Sequence, residues 1–228
     1  MKKITLVLAL VAGSFSAVQA QVEIGLKISP GIGSNRFTDS KTVKLTNDGS
    51  RPHFGGGLVI DFFFGENYAF NTGLELVTKG GNIKSVSTTT DGVNTFVTSA
   101  TTRLGVQYVQ VPIGIKLFTN EIAPDTRLFF LLGGEAGVLV GARADGNKTF
   151  KDVKLGHLDD KVTKHINTAE VGVQIGAGAE LVMGKSTKVF GGLSYHRGLS
   201  NIADKSLFSD KDVSVQNNLF ALDLGLKF

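Results

Sequence analysis

Residues 218–228 read Asn218-Leu219-Phe220-Ala221-Leu222-Asp223-Leu224-Gly225-Leu226-Lys227-Phe228, with a large apolar side chain at every even position from Phe220 to Phe228. A period of two lays those side chains on one face of an extended strand and leaves Ala221, Asp223, Gly225 and Lys227 on the other. The alternation recurs upstream. Val171, Val173, Ile175, Ala177, Ala179 and Leu181 alternate with Gly172, Gln174, Gly176, Gly178 and Glu180, and Val109 to Leu117 alternate with Tyr108, Gln110, Pro112, Gly114 and Lys116. Weaker copies begin at Val22, Phe54, Phe70, Leu128 and Val189. The pattern predicts eight strands: Val22 to Gly33, His53 to Phe64, Ala69 to Lys79, Leu104 to Phe118, Arg127 to Val140, Ala169 to Val182, Lys188 to Leu199 and Asn218 to Phe228.

Alternation is common to a soluble sandwich and a membrane barrel, so other features must choose. The predicted connections alternate between short (around 65–68, 119–126 and 183–187) and long, polar ones (around 34–52, 80–103, 141–168 and 200–217), as in a transmembrane barrel with turns on one rim and loops on the other. The non-apolar face carries Glu23, Lys27, Asp61, Glu75, Gln110, Lys116, Glu135, Gln174, Glu180, His196, Asp223 and Lys227, interleaved with glycine. In a small barrel that set fills the interior while the apolar face meets lipid. Aromatics gather near the short turns: Phe62, Phe64, Tyr68, Phe70, Phe118, Phe129, Phe130, Phe190 and the last residue, Phe228. They are expected to form an interfacial girdle. The fold expected is therefore all-β: an eight-stranded antiparallel transmembrane barrel over 21–228, with short periplasmic turns and four long extracellular loops.

Composition agrees. The 228 residues contain 29 glycines, against roughly 16 at average usage. Cysteine is absent, which excludes disulfides, thiolate zinc sites, iron–sulfur clusters and a cysteine nucleophile. The formal charge is +4, of which Lys2 and Lys3 contribute two, and this balance calls for no nucleic-acid partner. Residues 1–20 run from Met-Lys-Lys through the apolar stretch Ile4 to Ala12 to Ala17-Val18-Gln19-Ala20, the pattern of a secretory signal peptide cut between Ala20 and Gln21.

Three local sequences resemble the PorT-like, OmpA-like small outer-membrane β-barrel proteins: Tyr108-Val109-Gln110-Val111-Pro112-Ile113 in the fourth strand, Tyr195-His196-Arg197-Gly198-Leu199 in the seventh, and the terminal Phe228. The resemblance covers the mature chain. It implies residence in the outer membrane among lipid and lipopolysaccharide, recognition of Phe228 by the barrel assembly machinery, and loops that capture a partner or serve the envelope or secretion. It implies no cofactor and no assigned reaction. Pro112 in a closed barrel predicts a bulge or a missing ladder bond.

The interior charges Glu23, Lys27, Asp61, Glu75, Lys116, Glu135, Glu180, His196, Asp223 and Lys227 read as a closed network, since eight strands leave room only for side chains and buried charges must pair. A narrow pore for small solutes is the alternative. Ser194, His196 and Ser200 invite comparison with lipid A deacylases, but the order of Ser and His is wrong and only Asp204 is at hand to orient the base. His157, Asp159, Asp160 and His165 lack a standard metal spacing. Residues 85–102, mixed Thr, Ser and Val, are expected to carry the third and fourth strands above the membrane as a hairpin. The expected function is a non-enzymatic structural or binding one, with no catalytic, cofactor or metal residues.

Overall fold

The structure, a computed structural model, describes residues 21–38, 43–91, 94–149, 160–184, 186–204 and 214–228. The signal segment, Ala20 included, and His157 and Asp159 lie outside the described residues. The strands are β1 (Val22–Thr38), β2 (Val43–Asn47), β3 (Arg51–Gly65), β4 (Tyr68–Asp91), β5 (Asn94–Phe118), β6 (Thr126–Ala144), β7 (Ala169–Met183), β8 (Thr187–Gly198) and β9 (Ser214–Lys227). Eight of them form a ring in the order β1-β3-β4-β5-β6-β7-β8-β9, and β9 returns to β1. All neighbours are antiparallel. Ile24 and Phe228 exchange backbone hydrogen bonds across this last seam, so the ring has no free edge. The fold is the expected closed eight-stranded barrel. β2 stands outside the ring and pairs with β4 from Val43↔Ser87 to Asn47↔Ile83.

Several strands run past their expected ends. The β4–β5 pairing continues from the membrane segment through Ser85↔Ala100 to Asp91↔Asn94, the hairpin expected above the barrel. β-branched threonine and valine suit this two-stranded extension.

Proline leaves its mark on the ladders. Pro112 has no N–H to donate, and the β4–β5 pairing lapses between Thr72↔Ile113 and Glu75↔Gln110, then resumes in unchanged register. Thr72 Oγ1 donates to the Pro112 carbonyl at 2.9 Å. Pro30, which the motif reading passed over, has the same effect between Ile28↔Leu224 and Gly31↔Ala221 of β1 and β9. A bulge does occur in β6, where Val140 is left unpaired between Gln107↔Gly141 and Tyr108↔Leu139, several residues from the proline.

Leu26, Ile28, Leu74, Ile113, Leu132, Ile175, Leu193 and Leu224 are all exposed on the outer wall. A continuous apolar belt of this kind has lipid as its solvent. Phe64, Tyr68, Phe70, Phe130 and Phe228 are exposed at the short-turn rim, where they form the girdle. Phe118, Phe129 and Phe190 do not join it, contrary to expectation. They are buried inside the barrel with Phe63 and Val59. Parity explains the correction: Phe118 follows outward Leu117, Phe129 precedes outward Phe130, and Phe190 precedes Gly191 and outward Leu193 by odd steps, so each points inward.

Candidate functional site

The interior is filled in three storeys. At the short-turn end lies the phenylalanine floor, with Phe63 and Phe118 rings stacked at 5.3 Å and Phe129 edge-on to Phe190 at 6.4 Å. Glycine makes this possible: a Cβ on Gly178 would stand 2.6 Å from the Phe129 ring, and one on Gly225 would stand 2.4 Å from the Phe190 ring. Cations rest on these rings, with Lys116 Nζ at 4.6 Å from the Phe129 centroid and the Arg127 guanidinium at 4.0 Å from that of Phe118. Such contacts strengthen where water is excluded.

Above and among the rings runs an ion network. Lys227, fully buried, reaches Asp61 at 2.7 Å and Glu23 at 3.2 Å and also binds Glu180. Glu23, Asp61 and Glu180 present ligand atoms within 4.8 Å of one another, a spacing able to bracket a cation, and the Lys227 ammonium stands among them. Lys116 adds a second contact to Asp61 at 3.1 Å, Arg127 grips Glu180 at 2.8 Å, and Lys188 binds Glu23. Higher up, Lys27 joins Glu75 at 2.8 Å and Asp223 at 3.6 Å. Lys79 joins Glu135 at 2.7 Å and Glu170 at 3.2 Å.

All ten network residues named from sequence therefore face the lumen. That set holds six acids against three lysines and one histidine. Lys79, Arg127 and Lys188 supply the missing cations, with Glu170 as a further acid. Lys79 and Glu170 lie in the inward phase of their strands, which is the signal that would have found them; Arg127 and Lys188 sit at strand starts, where parity is weakest.

His196 occupies the upper part of the ion network. Its Nδ1 faces Glu135 Oε2 at 2.6 Å and its Nε2 faces Ser194 Oγ at 3.1 Å. This has the Ser–His–carboxylate order of a hydrolytic triad. The orienting acid is Glu135 of β6, not Asp204, because the barrel brings a distant strand closer than the neighbouring loop. The surroundings differ from those of an active site: Ser194, His196 and Glu135 are all buried, and Glu135 is already shared with Lys79 and with Gln110 Nε2 at 3.3 Å.

The top storey is apolar. Val162, Ile166, Ile202 and Ala203 from the long loops and Leu45 of β2 pack on Val77, Leu104, Val106 and Tyr108 of the strands. A 3-10 turn, Val162–His165, presents Val162 and His165 inward. Of the loop residues first weighed as metal ligands, Asp160 pairs with Lys164 at 2.6 Å and lies 3.5 Å from His165. The hydrogen bond from Lys164 holds the Asp160 carboxyl below its ordinary value. Beside this plug opens a cleft of about 940 Å³ between the strand ends and the β6–β7 loop.

A closed antiparallel ring with an apolar exterior and an ion-paired interior defines an integral β-barrel membrane protein. The family model for the outer membrane protein beta-barrel domain matches residues 16–204, and the chain belongs to that family. Its place is the outer membrane. No curated protein matches the chain. Among solved structures it is similar to Neisserial surface protein A, at 10% identity and TM-score 0.45 over 92% of this chain and 100% of that one. The N-terminal β-barrel domain of Pseudomonas aeruginosa OprF follows at 11% identity and TM-score 0.38, over 92% and 100%. The outer membrane protease OmpT of Escherichia coli aligns at 11% identity and TM-score 0.43, over 93% and 99%. At these values the likeness stands beside the family match without adding to it.

Proposed function

We propose that the protein is a non-conducting, non-enzymatic mount whose extracellular end binds a partner at the cell surface. One observation carries this reading: rings, ion pairs and a loop plug occupy the lumen in succession, so the described side chains leave the charges to one another and not to a permeant solute. Purified protein reconstituted in planar bilayers is expected to give no discrete conductance steps. Steps of uniform size would restore the narrow-pore reading.

The geometry of Ser194, His196 and Glu135 favours a second reading, a lipid-modifying hydrolase. Burial argues against it, because a nucleophile needs an open approach for its substrate. A fluorophosphonate probe is expected to leave Ser194 unlabelled, and His196→Ala to leave lipid A acylation in the host unchanged; labelling abolished by Ser194→Ala would make the protein an enzyme. In the same proposal, residues 1–20 direct export and are cut before Gln21, Phe228 presents the strand end to the assembly machinery, and lipid and lipopolysaccharide surround the belt. Intact mass of the protein from outer membranes tests the cut.

A further inference from the structure

We propose that the extracellular cleft is a binding site for a saccharide carrying clustered phosphate or sulfate esters. This rests on the reading that the extracellular end meets the ligand and names the ligand's chemistry. Five cationic residues line the cleft. Lys79 is taken by Glu135 and Glu170 of the interior network; the other four are Arg51 at the start of β3, Arg143 near the end of β6, and Lys148 and Lys161 of the loop that follows. Among the described residues none of the four forms an ion pair, and no carboxylate lines the cleft. Described acids of the flanking segments have partners of their own. Asp145 accepts the Arg103 N–H at 2.9 Å, and Asp160 is held by Lys164 at 2.6 Å. Like charges gathered without counter-charge raise the local potential and attract an anion.

The backbone that carries two of the cations is tied down. Thr149 and Lys161 form a backbone bridge, and the Val162 N–H donates to the Lys148 carbonyl at 2.9 Å, so both lysines sit on one clip anchored by buried Val162. The Arg51 guanidinium lies over Gly105, where a Cβ would come within 3.6 Å of Nη1. Preorganised donors lose less entropy on binding.

Size and lining narrow the ligand class. About 940 Å³ is at the upper end for small-molecule sites, far more than a single inorganic anion fills. Gln107, Thr149 and Thr163 offer neutral donors and acceptors between the cations, as hydroxyl-rich ligands require. Among the described residues no aromatic ring lines the cleft, so these residues offer a nucleobase no stacking surface. A sugar with several ester anions satisfies all three conditions. Such sugars occur both in the phosphorylated core of lipopolysaccharide in the same membrane and on sulfated glycans from outside.

The test uses the full-length mature protein in nanodiscs, with a trisulfated heparin disaccharide as the probe and titration calorimetry as the readout. In phospholipid nanodiscs the probe is expected to bind, with affinity falling as salt is raised, while sucrose does not bind. Arg143→Ala with Lys161→Ala is expected to weaken binding at least tenfold. Gly105→Leu, which narrows the cleft without removing charge, should weaken it comparably; Lys164→Ala, outside the cleft, should not. Each variant is checked for the heat-sensitive gel mobility of a folded barrel. Weaker probe binding in lipopolysaccharide nanodiscs would assign the natural ligand to the membrane's own sugar phosphates, and equal binding would assign it to an external glycan. Failure of the probe to bind phospholipid nanodiscs, or binding indifferent to Arg143, Lys161 and Gly105, overturns the proposal. Bilayer conductance is scored separately, so the closed-mount reading stands or falls on its own.

Discussion

Lys227, deep in the barrel, has three carboxylates around its ammonium, whereas Lys161, at the open cleft, has none among the described residues. The same contrast holds across both regions. Inside, Lys27, Lys79, Lys116, Arg127, Lys188 and Lys227 each meet at least one acid; in the cleft, Arg51, Arg143 and Lys148 share the situation of Lys161. Charges shut away from water must be neutralised by the protein itself. Charges left open and unbalanced are free to be neutralised by something that arrives. The first arrangement maintains a shape, and the second offers a site.

The largest test of this difference removes one partner from the balanced region. Lys227→Met removes the cation that Glu23, Asp61 and Glu180 share, leaving three crowded carboxylates to Lys188, Lys116 and Arg127 alone, and is expected to cost about 3–5 kcal/mol in urea unfolding followed by heat-sensitive gel mobility. On the outer wall, Leu224→Arg is expected to cost about 2–4 kcal/mol in folding into liposomes, since Leu224 is 40% exposed toward lipid about four residues up the strand from Phe228. An indifferent variant would reverse the inside and outside of β9.

Gly225→Ala pushes a methyl into the Phe190 ring and is expected to cost about 1–3 kcal/mol by overpacking, read in the same unfolding experiment. Adding Glu180→Gln to Lys227→Met should recover part of the loss, with a coupling of about 0.5–3 kcal/mol; strict additivity would mean that the two residues do not answer each other. The smallest effect belongs to the cleft. Lys161→Met is expected to shift stability by no more than about 0.5 kcal/mol, and a loss as large as that of Lys227→Met would erase the distinction between the regions.

Much of the architecture was legible because lipid imposes a strict rule. Each spanning strand must show apolar groups on one face and hide polar ones on the other, so Phe220 to Phe228 reads plainly as a strand and Asp223 and Lys227 read as interior. The same rule, applied strictly, also turns Phe118, Phe129 and Phe190 inward. Proximity to a turn suggested a girdle for them, but parity outranks proximity in a strand. The hydrolase-like geometry at His196 was not legible, since Glu135 lies 61 residues away and only ring closure sets it beside the imidazole.

The sequence by itself determined the number of spanning strands, their facing, the lodging of charges inside and the gathering of short turns on one rim and long connections on the other, because each follows from a local period of two, from the lengths between strands and from the solvent on either side. Only the tertiary structure decided which carboxylate answers which cation, that two prolines interrupt ladders without shifting them, that loop residues plug the mouth, and that four cations without an ion-pair partner among the described residues line one open cleft. Those outcomes depend on distances between strands far apart in the chain, which no local pattern encodes.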